Sequence, residues 1–322
     1  MRKLNLKVIA FIILGFSTIA MDAQTKSVSI TQGDEQLNCI YPFYKGRIDG
    51  YYVSYYNNGK KRAEGRLEDG CRAGKWSVWD STGRLRMERL YENMYVYKTV
   101  VPKVTKDTAS YRIVRDDDGL LRYFKLREKA VLWSQRIWRN IEKENNEALF
   151  DNDRLLKFYI SNIVDNNIHA YGSQDDEYKN KLTVEDIQKI DTHKIAVVKF
   201  RLKEDAFFDT DRNVYECRII GICPVGLNKE TGKEEDLFWI YYPETRKLLA
   251  KEVINKPVPG KIKTLDDLFF YRDFASTIYK KSNMHDWQIT DYIKDDGAQK
   301  EAERIELSLI ENEHDIWIGL TK

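Results

Sequence analysis

Residues 46–93 read GRIDGYYVSYYNNGKKRAEGRLEDGCRAGKWSVWDSTGRLRMERLYEN, and the stretch aligns with itself when shifted by 24 positions. Gly46, Gly50 and Gly59 then fall on Gly70, Gly74 and Gly83, Tyr52 on Trp76, Tyr55 on Trp79 and Glu64 on Glu88. Each copy reads as a strand, a turn at Asn58-Gly59 or Thr82-Gly83, and a second strand. An Asn-Gly turn joining two strands predicts positive φ at both central residues. The alternating aromatics place one apolar face on the resulting sheet. Two hairpins bury little surface by themselves, so strands from residues 36–45 and 95–114 are expected to extend the sheet.

The glycine and aromatic spacing of Gly46–Asn93 resembles MORN-type and YwqK-like repeats, which implies hairpins stacked into a ribbon. Such a ribbon serves as an interaction surface or as plain structure, and the sequence leaves both open. The repeat region is assigned to residues 24–100. A connector at 101–122 follows, containing Pro102 and the run Asp116-Asp117-Asp118-Gly119. That run lacks the spaced ligands and distal glutamate of a calcium loop, so a solvated turn is expected.

Upstream, Arg2, Lys3 and Lys7 precede the apolar stretch VIAFIILG at residues 8–15. The pattern reads as a secretory signal peptide over residues 1–23, too short to span a bilayer comfortably. Cleavage after Ala23, leaving Gln24 first, and cleavage after Ala20 both fit. The 322 residues carry 53 Lys+Arg and 51 Asp+Glu. Loss of Arg2, Lys3, Lys7 and Asp22 with the signal leaves the two signs balanced. A nucleic-acid partner, which needs clustered positive charge, is therefore not expected, and nor is a direct membrane span. Low net charge favours association. Cys217 and Cys223 sit six apart in one β-rich run and cannot bridge along a strand. Export would permit a Cys39–Cys71 disulfide.

The remaining chain reads as an α+β unit, residues 123–322, ordered as helices, an antiparallel meander and helices again. Leu126, Ala130, Trp133, Ile137 and Ile141 recur at spacings of three and four, predicting an amphipathic helix over Arg127–Glu142. A second helix carries Leu155, Leu156, Tyr159, Ile163 and Val164. Thr183 with Asp186, and Thr264 with Asp267, have the spacing of capping boxes, the latter opening a helix through Leu265, Leu268, Phe269 and Ile278. Strands are expected at Ile195–Leu202, Val214–Val225 and Leu237–Tyr242, with a further one at Lys247–Ile254. A last helix runs from Ala298 to Glu313.

Five stretches in this unit resemble the GldN family, also called PorN: 126–146 (LREKAVLWSQRIWRNIEKENN), 200–225 (FRLKEDAFFDTDRNVYECRIIGICPV), 237–246 (LFWIYYPETR), 264–283 (TLDDLFFYRDFASTIYKKSN) and 303–317 (ERIELSLIENEHDIW). They occur in the family's order from about Tyr123 to the C-terminus. Ala206 stands where the family has an aromatic, and the repeat region departs from the family's polar N-terminal part. The resemblance implies a periplasmic building block of the type IX secretion and gliding motility machinery of Bacteroidetes, at the inner face of the outer membrane. It implies a ring formed by self-association with a GldK- or PorK-like outer-membrane lipoprotein, in contact with a GldM- or PorM-like shaft protein. A binding module whose repeat sheet holds a periplasmic protein or cell-wall ligand is the alternative.

No catalytic motif stands out. His169, His193, His285 and His314 are isolated, and no H-E-x-x-H, nucleophile elbow, P-loop or dinucleotide fingerprint occurs. No enzyme activity, metal or cofactor is expected. His314 reads as a surface or capping histidine, and Asp266-Asp267 and Asp295-Asp296 as first-turn or loop charges. The candidate partner contacts are Arg136, Trp138 and Arg139, because Trp and Arg are enriched at interface hot spots, together with Phe207 and Phe208. Adjacent strand residues point to opposite faces, so one of those two phenylalanines is expected to be buried and the other free for a partner.

Overall fold

A computed structural model describes residues 24–103, 113–258, 262–294 and 297–320. The signal-peptide assignment and the pair Asp295-Asp296 lie outside the described residues.

The repeat region forms one antiparallel sheet. Its strands are β1 (Gln24–Gln32), β2 (Glu35–Tyr44), β3 (Arg47–Ile48), β4 (Gly50–Tyr56), β5 (Lys61–Glu68), β6 (Cys71–Trp79), β7 (Leu85–Asn93) and β8 (Val96–Val101). The order is β1-β2-β4-β5-β6-β7-β8, with β3 on β2. The two repeat hairpins thus sit at the centre, extended on either side by the flanking strands expected from 36–45 and 95–114. All six repeat glycines have positive φ.

The turns differ from the two-residue form expected. Gly59 (φ +78) and Gly83 (φ +91) are left-handed, whereas Asn58 and Thr82 are not. Gly59 N donates to Tyr56 O and Gly83 N to Asp80 O, closing a wider loop with glycine at its last corner. The acidic run at 116–119 repeats the design. Gly119 N donates to Asp116 O, and Asp116 N to Leu120 O. Asp80 Oδ1 accepts Thr82 N and Arg84 N while Oδ2 accepts Arg86 Nε. Asp116 accepts Asp118 N, Leu120 N and Arg122 Nε in the same way. DSTGRLR and DDDGLLR are therefore one turn used twice. Tyr56-Asn57-Asn58-Gly59-Lys60-Lys61-Arg62 is its variant, with Tyr56 in place of the aspartate.

The second sheet corrects the first helix assignment. Residues Val131–Glu142 form a strand, β9. A spacing of four returns to the same side in a helix and in a strand alike, so Trp133, Ile137 and Ile141 satisfy both. The content of β-branched and aromatic residues suits a strand. Pairing decides the outcome, because β9 lies between β11 (Ile195–Asp209) and β17 (Thr277–Lys281) as an interior strand. After β9 come α1 (Glu147–Phe150), α2 (Arg154–Val164), β10 (Ala170–Tyr171) and α3 (Val184–Gln188). β11 and β12 (Val214–Asn228) make a 15-residue-per-arm hairpin. β13 (Glu234–Asp236), β14 (Trp239–Tyr241), α4 (Tyr242–Leu249), β15 (Val253–Val258), β16 (Ile262–Thr264), α5 (Leu265–Phe270), α6 (Ile289–Tyr292) and α7 (Gly297–Leu320) complete the chain. The sheet order is β10-β14-β12-β11-β9-β17, with β13 on β12.

Two further boundaries move. The strand expected at Lys247–Ile254 begins only at Val253, because Pro243 in a first turn starts α4 instead. The helix opened by Thr264 stops at Phe270, and Ile278 lies in β17. Both capping boxes, at Thr183 and at Thr264, are present.

The position of α7 organises the molecule. Ala302, Ile305 and Leu309 on one side join Ile137, Ala206 and Ile278 of the second sheet. Leu307 and Trp317 on the other join Tyr41, Tyr52, Trp76 and Met87 of the repeat sheet. One helix thus fills the space between two sheets. Burying each of its large apolar side chains contributes about 1.5–3 kcal/mol. Ala206 is fully buried in the α7 cluster, where an aromatic ring would compete with the helix for room.

Candidate functional site

The five residues singled out as partner contacts are used inside the chain. Trp138 is only 6% exposed. Its Nε1 donates to Asp176 at 2.7 Å, and Lys280 Nζ stands 4.3 Å over its ring. Arg139 points the other way from β9, donating to buried Glu204 at 2.8 Å and to Glu306 at 2.6 and 3.1 Å. Arg136 makes a two-pronged pair with Asp205 at 2.8 and 3.0 Å and stays half-exposed. Phe207 and Phe208 do face opposite ways, yet both are buried. Phe208 joins the repeat-sheet core, and Phe207 lies under the Arg218 guanidinium on the outer sheet face.

The densest polar constellation is the seam between α7 and the repeat sheet. Glu303 accepts Tyr41 Oη at 2.5 Å and pairs with Lys26 at 2.5 Å. Glu311, fully buried, accepts Arg62 Nε at 2.6 Å and the Tyr52 hydroxyl. Arg62 also reaches Asp315. Glu313 pairs with Arg72 and accepts Tyr215 N at 3.1 Å. His314 is fully buried here rather than on the surface. Arg72 donates to its Nε2 at 3.0 Å, while Nδ1 lies 3.0 Å from Glu311, off the line of a good hydrogen bond. Burial alone would raise the Glu311 carboxyl, but His314, Arg62 and Tyr52 outweigh it and hold it well below the usual carboxylate range. Glu204 behaves alike, burial being overcome by Arg272 and Arg139.

Sequence reasoning found the helix itself and missed these acids, because glutamate in a helix reads as solvent-facing. One signal was present. In the repeat turns Arg86 and Arg122 are bound by the local Asp80 and Asp116. Tyr56 removes that acceptor from the first copy, so the equivalent Arg62 must find its partner elsewhere. Asp266 is likewise no loose first-turn charge: it is buried and bound by Arg246 through two bonds of 2.9 Å.

The charged side chains of this seam bind one another. Two cavities of about 80 and 100 Å³ flank Arg139, Arg272 and Glu306, against the 300–1,000 Å³ of small-molecule sites. All four cysteines are free, so Cys39 and Cys71 are unbridged. Burial pushes the Cys39 and Cys217 thiols up to about 12 and Cys71 to about 11, the opposite of an activated thiolate. Among the described residues no group of three or more His, Cys, Asp or Glu could hold a metal ion, and no helix is long and apolar enough to cross a membrane.

A wide groove lies on the outer face of the second sheet. It measures about 800 Å³, and its apolar lining includes Leu126, Val131, Phe207, Ile220, Tyr241 and Pro243. Its polar lining includes Arg218, Arg246 and Lys247, bound within the chain to Glu216, Asp266 and Asp118, and Asp205 and Glu244.

The family model described as gliding motility associated protein GldN matches residues 126–318. That span holds the whole second sheet and most of α7, and it leaves out the repeat sheet. No curated protein matches the chain.

Proposed function

The chain belongs to the GldN family of gliding motility associated proteins, components of the gliding and type IX secretion apparatus, and on that premise we propose that it is a non-enzymatic structural subunit of that apparatus. In this reading it is exported, loses residues 1–23 and works in the periplasm at the inner face of the outer membrane. It assembles with further copies and a GldK- or PorK-like lipoprotein into a ring that meets a GldM- or PorM-like shaft. The observation that carries the reading is the double grip on α7. The helix that ends the family region is clamped by ion pairs to a repeat sheet outside it. A force-bearing ring needs its added parts fixed in this way, and the repeat region (24–100), connector (101–122) and family region (123–322) then act as one body.

Deleting the gene is expected to block export of the cargo of that apparatus, with recovery on complementation. Normal export in a clean deletion strain would overturn the reading. The alternative, a binding module, is favoured by the uncovered face of the repeat sheet, where Tyr51 is 58% and Leu90 53% exposed. Changing Tyr51→Ala with Leu90→Asp should then abolish retention of an envelope component in a pull-down.

A further inference from the structure

Strand β1, QTKSVSITQ at residues 24–32, reads nearly the same in both directions about Val28. Gln24 mirrors Gln32, Thr25 mirrors Thr31 and Ser27 mirrors Ser29, and only Lys26 and Ile30 break the match. The strand also ends its sheet. It pairs with β2 on one side, and no described strand pairs with it on the other. Its outer row of backbone N–H and C=O groups is therefore open to another strand.

The other sheet ends carry the usual guards against such pairing. Strand β8 is broken in register at two places against β7 and is followed by Pro102. Strand β10 has two residues. Strand β17 has five, and its register against β9 is broken between Ile278 and Lys280. Strand β1 has none of these guards. Its nine residues pair with β2 without a break, from Gln24 opposite Phe43 to Gln32 opposite Glu35, and they include no proline. Its one charged side chain does not protect the edge either. Lys26 turns toward the α7 face, where its ammonium pairs with Glu303 at 2.5 Å and stands 4.0 Å over the Phe43 ring.

We propose that β1 pairs antiparallel with β1 of a second copy about a two-fold axis at Val28, joining two repeat sheets into one. Side chains alternate along a strand, and this register keeps each face consistent across the axis. On the exposed face Thr25 meets Thr31 of the second copy and Ser27 meets Ser29, hydroxyl pairs of the kind that favour strand pairing. On the α7 face Ile30 is buried and Val28 packs on the core. There Val28 meets Val28 and Gln24 meets Gln32. Lys26 meets Ile30, so the two ammonium groups stand apart. A slip of one residue would turn one copy's apolar face outward. The self-complementary sequence is what selects a second copy over a foreign strand. The contact joins like surfaces and closes at two copies. It lies outside the family region, and so goes beyond the reading of the chain as a subunit of the apparatus.

The test is sedimentation equilibrium of the exported chain and of two double variants at the exposed serines. Ser27→Lys with Ser29→Lys sets like charges opposite one another across the axis. Ser27→Lys with Ser29→Glu sets opposite charges there, but only when residue 27 faces residue 29. Both variants change side chains that are exposed in the single chain, so their circular dichroism should match wild type. Wild type should dimerise reversibly. The like-charge variant should dimerise about tenfold more weakly, and the opposite-charge variant at least as tightly as wild type, with the gap closing in high salt. Equal dimerisation of the two variants, or weakening of both, would overturn the proposal. So would a wild type that is monomeric at every concentration, including one that retains a different envelope protein through Ser27 and Ser29, which would give the edge to a foreign strand. Export does not enter the measurement, so its failure leaves the family function standing. Normal export in the deletion strain, conversely, leaves the pairing standing.

Discussion

Arg62 shows how one residue can tie two parts of a chain together. Its counterparts Arg86 and Arg122 bind the aspartates of their own turns. Tyr56 leaves Arg62 without a local carboxylate, and its guanidinium crosses to Glu311 and Asp315 on α7. Replacing Arg62 by Ala strands a buried carboxylate, and such breaks cost about 3–5 kcal/mol. Urea unfolding should show a loss of that order for Arg62→Ala, and a much smaller one for Arg62→Met combined with Glu311→Leu, which removes both charges. Equal losses in the two would mean that the pair contributes packing alone. The same pair sets a pH dependence. Folded Glu311 and Glu204 are held below their ordinary range, whereas the unfolded chain takes up protons near pH 4.3. Their contribution is therefore complete at neutral pH and is lost as pH falls below about 4.5. The urea midpoint should drop over that acid range, and less steeply in the double variant.

At the scale of elements, the repeat hairpins show two separate demands on glycine. Gly59 provides a left-handed turn corner (φ +78) with open space around it. Gly65 has ordinary backbone angles, but a Cβ there would stand 2.1 Å from the Trp76 ring. Trp76 lies flat across that gap, stacks on Tyr52 at 5.8 Å and donates from Nε1 to Arg66 O at 2.9 Å. Gly59→Ala should cost about 1 kcal/mol through backbone strain. Gly65→Ala should cost more, about 1–3 kcal/mol, by overpacking the core, and should also shift the tryptophan fluorescence. A smaller loss at Gly65 than at Gly59 would show that the indole can move aside. The hairpins were legible because turn chemistry and alternation act over a few residues. β9 was not, because its apolar spacing of four fits two periodicities and only its neighbours β11 and β17 choose between them.

For the whole molecule, α7 is the shared core. Removing residues 24–100 would uncover Leu307 and Trp317 and strip Glu303, Glu311 and Glu313 of Lys26, Arg62 and Arg72. The 101–322 fragment should unfold at a lower temperature than the exported chain, lose helical circular dichroism and aggregate on a sizing column. A fragment as stable and monodisperse as the parent would mean that the grip on α7 is dispensable. The candidate contacts fared according to the same geometry. Trp138, Arg139, Phe207 and Phe208 have the composition of a hot spot, yet sheet formation turned them toward partners within the chain. Large apolar side chains left open lie instead at Tyr51 and Leu90 on the repeat sheet and at Met284 and Trp287 after β17, the latter in a polar stretch without periodicity to mark it.

The sequence by itself determined the α+β class, the repeat hairpins, both capping boxes, the last helix and the family. Each of these is written in near-neighbour spacing or in motifs read along the chain. The tertiary structure alone decided that 131–142 is a strand, that His314 and the α7 glutamates are buried, and which aromatics reach the surface. These depend on residues distant in sequence: a strand is stabilised by the neighbours that bond it, and a charge is tolerated inside only where a partner from elsewhere in the chain arrives to meet it.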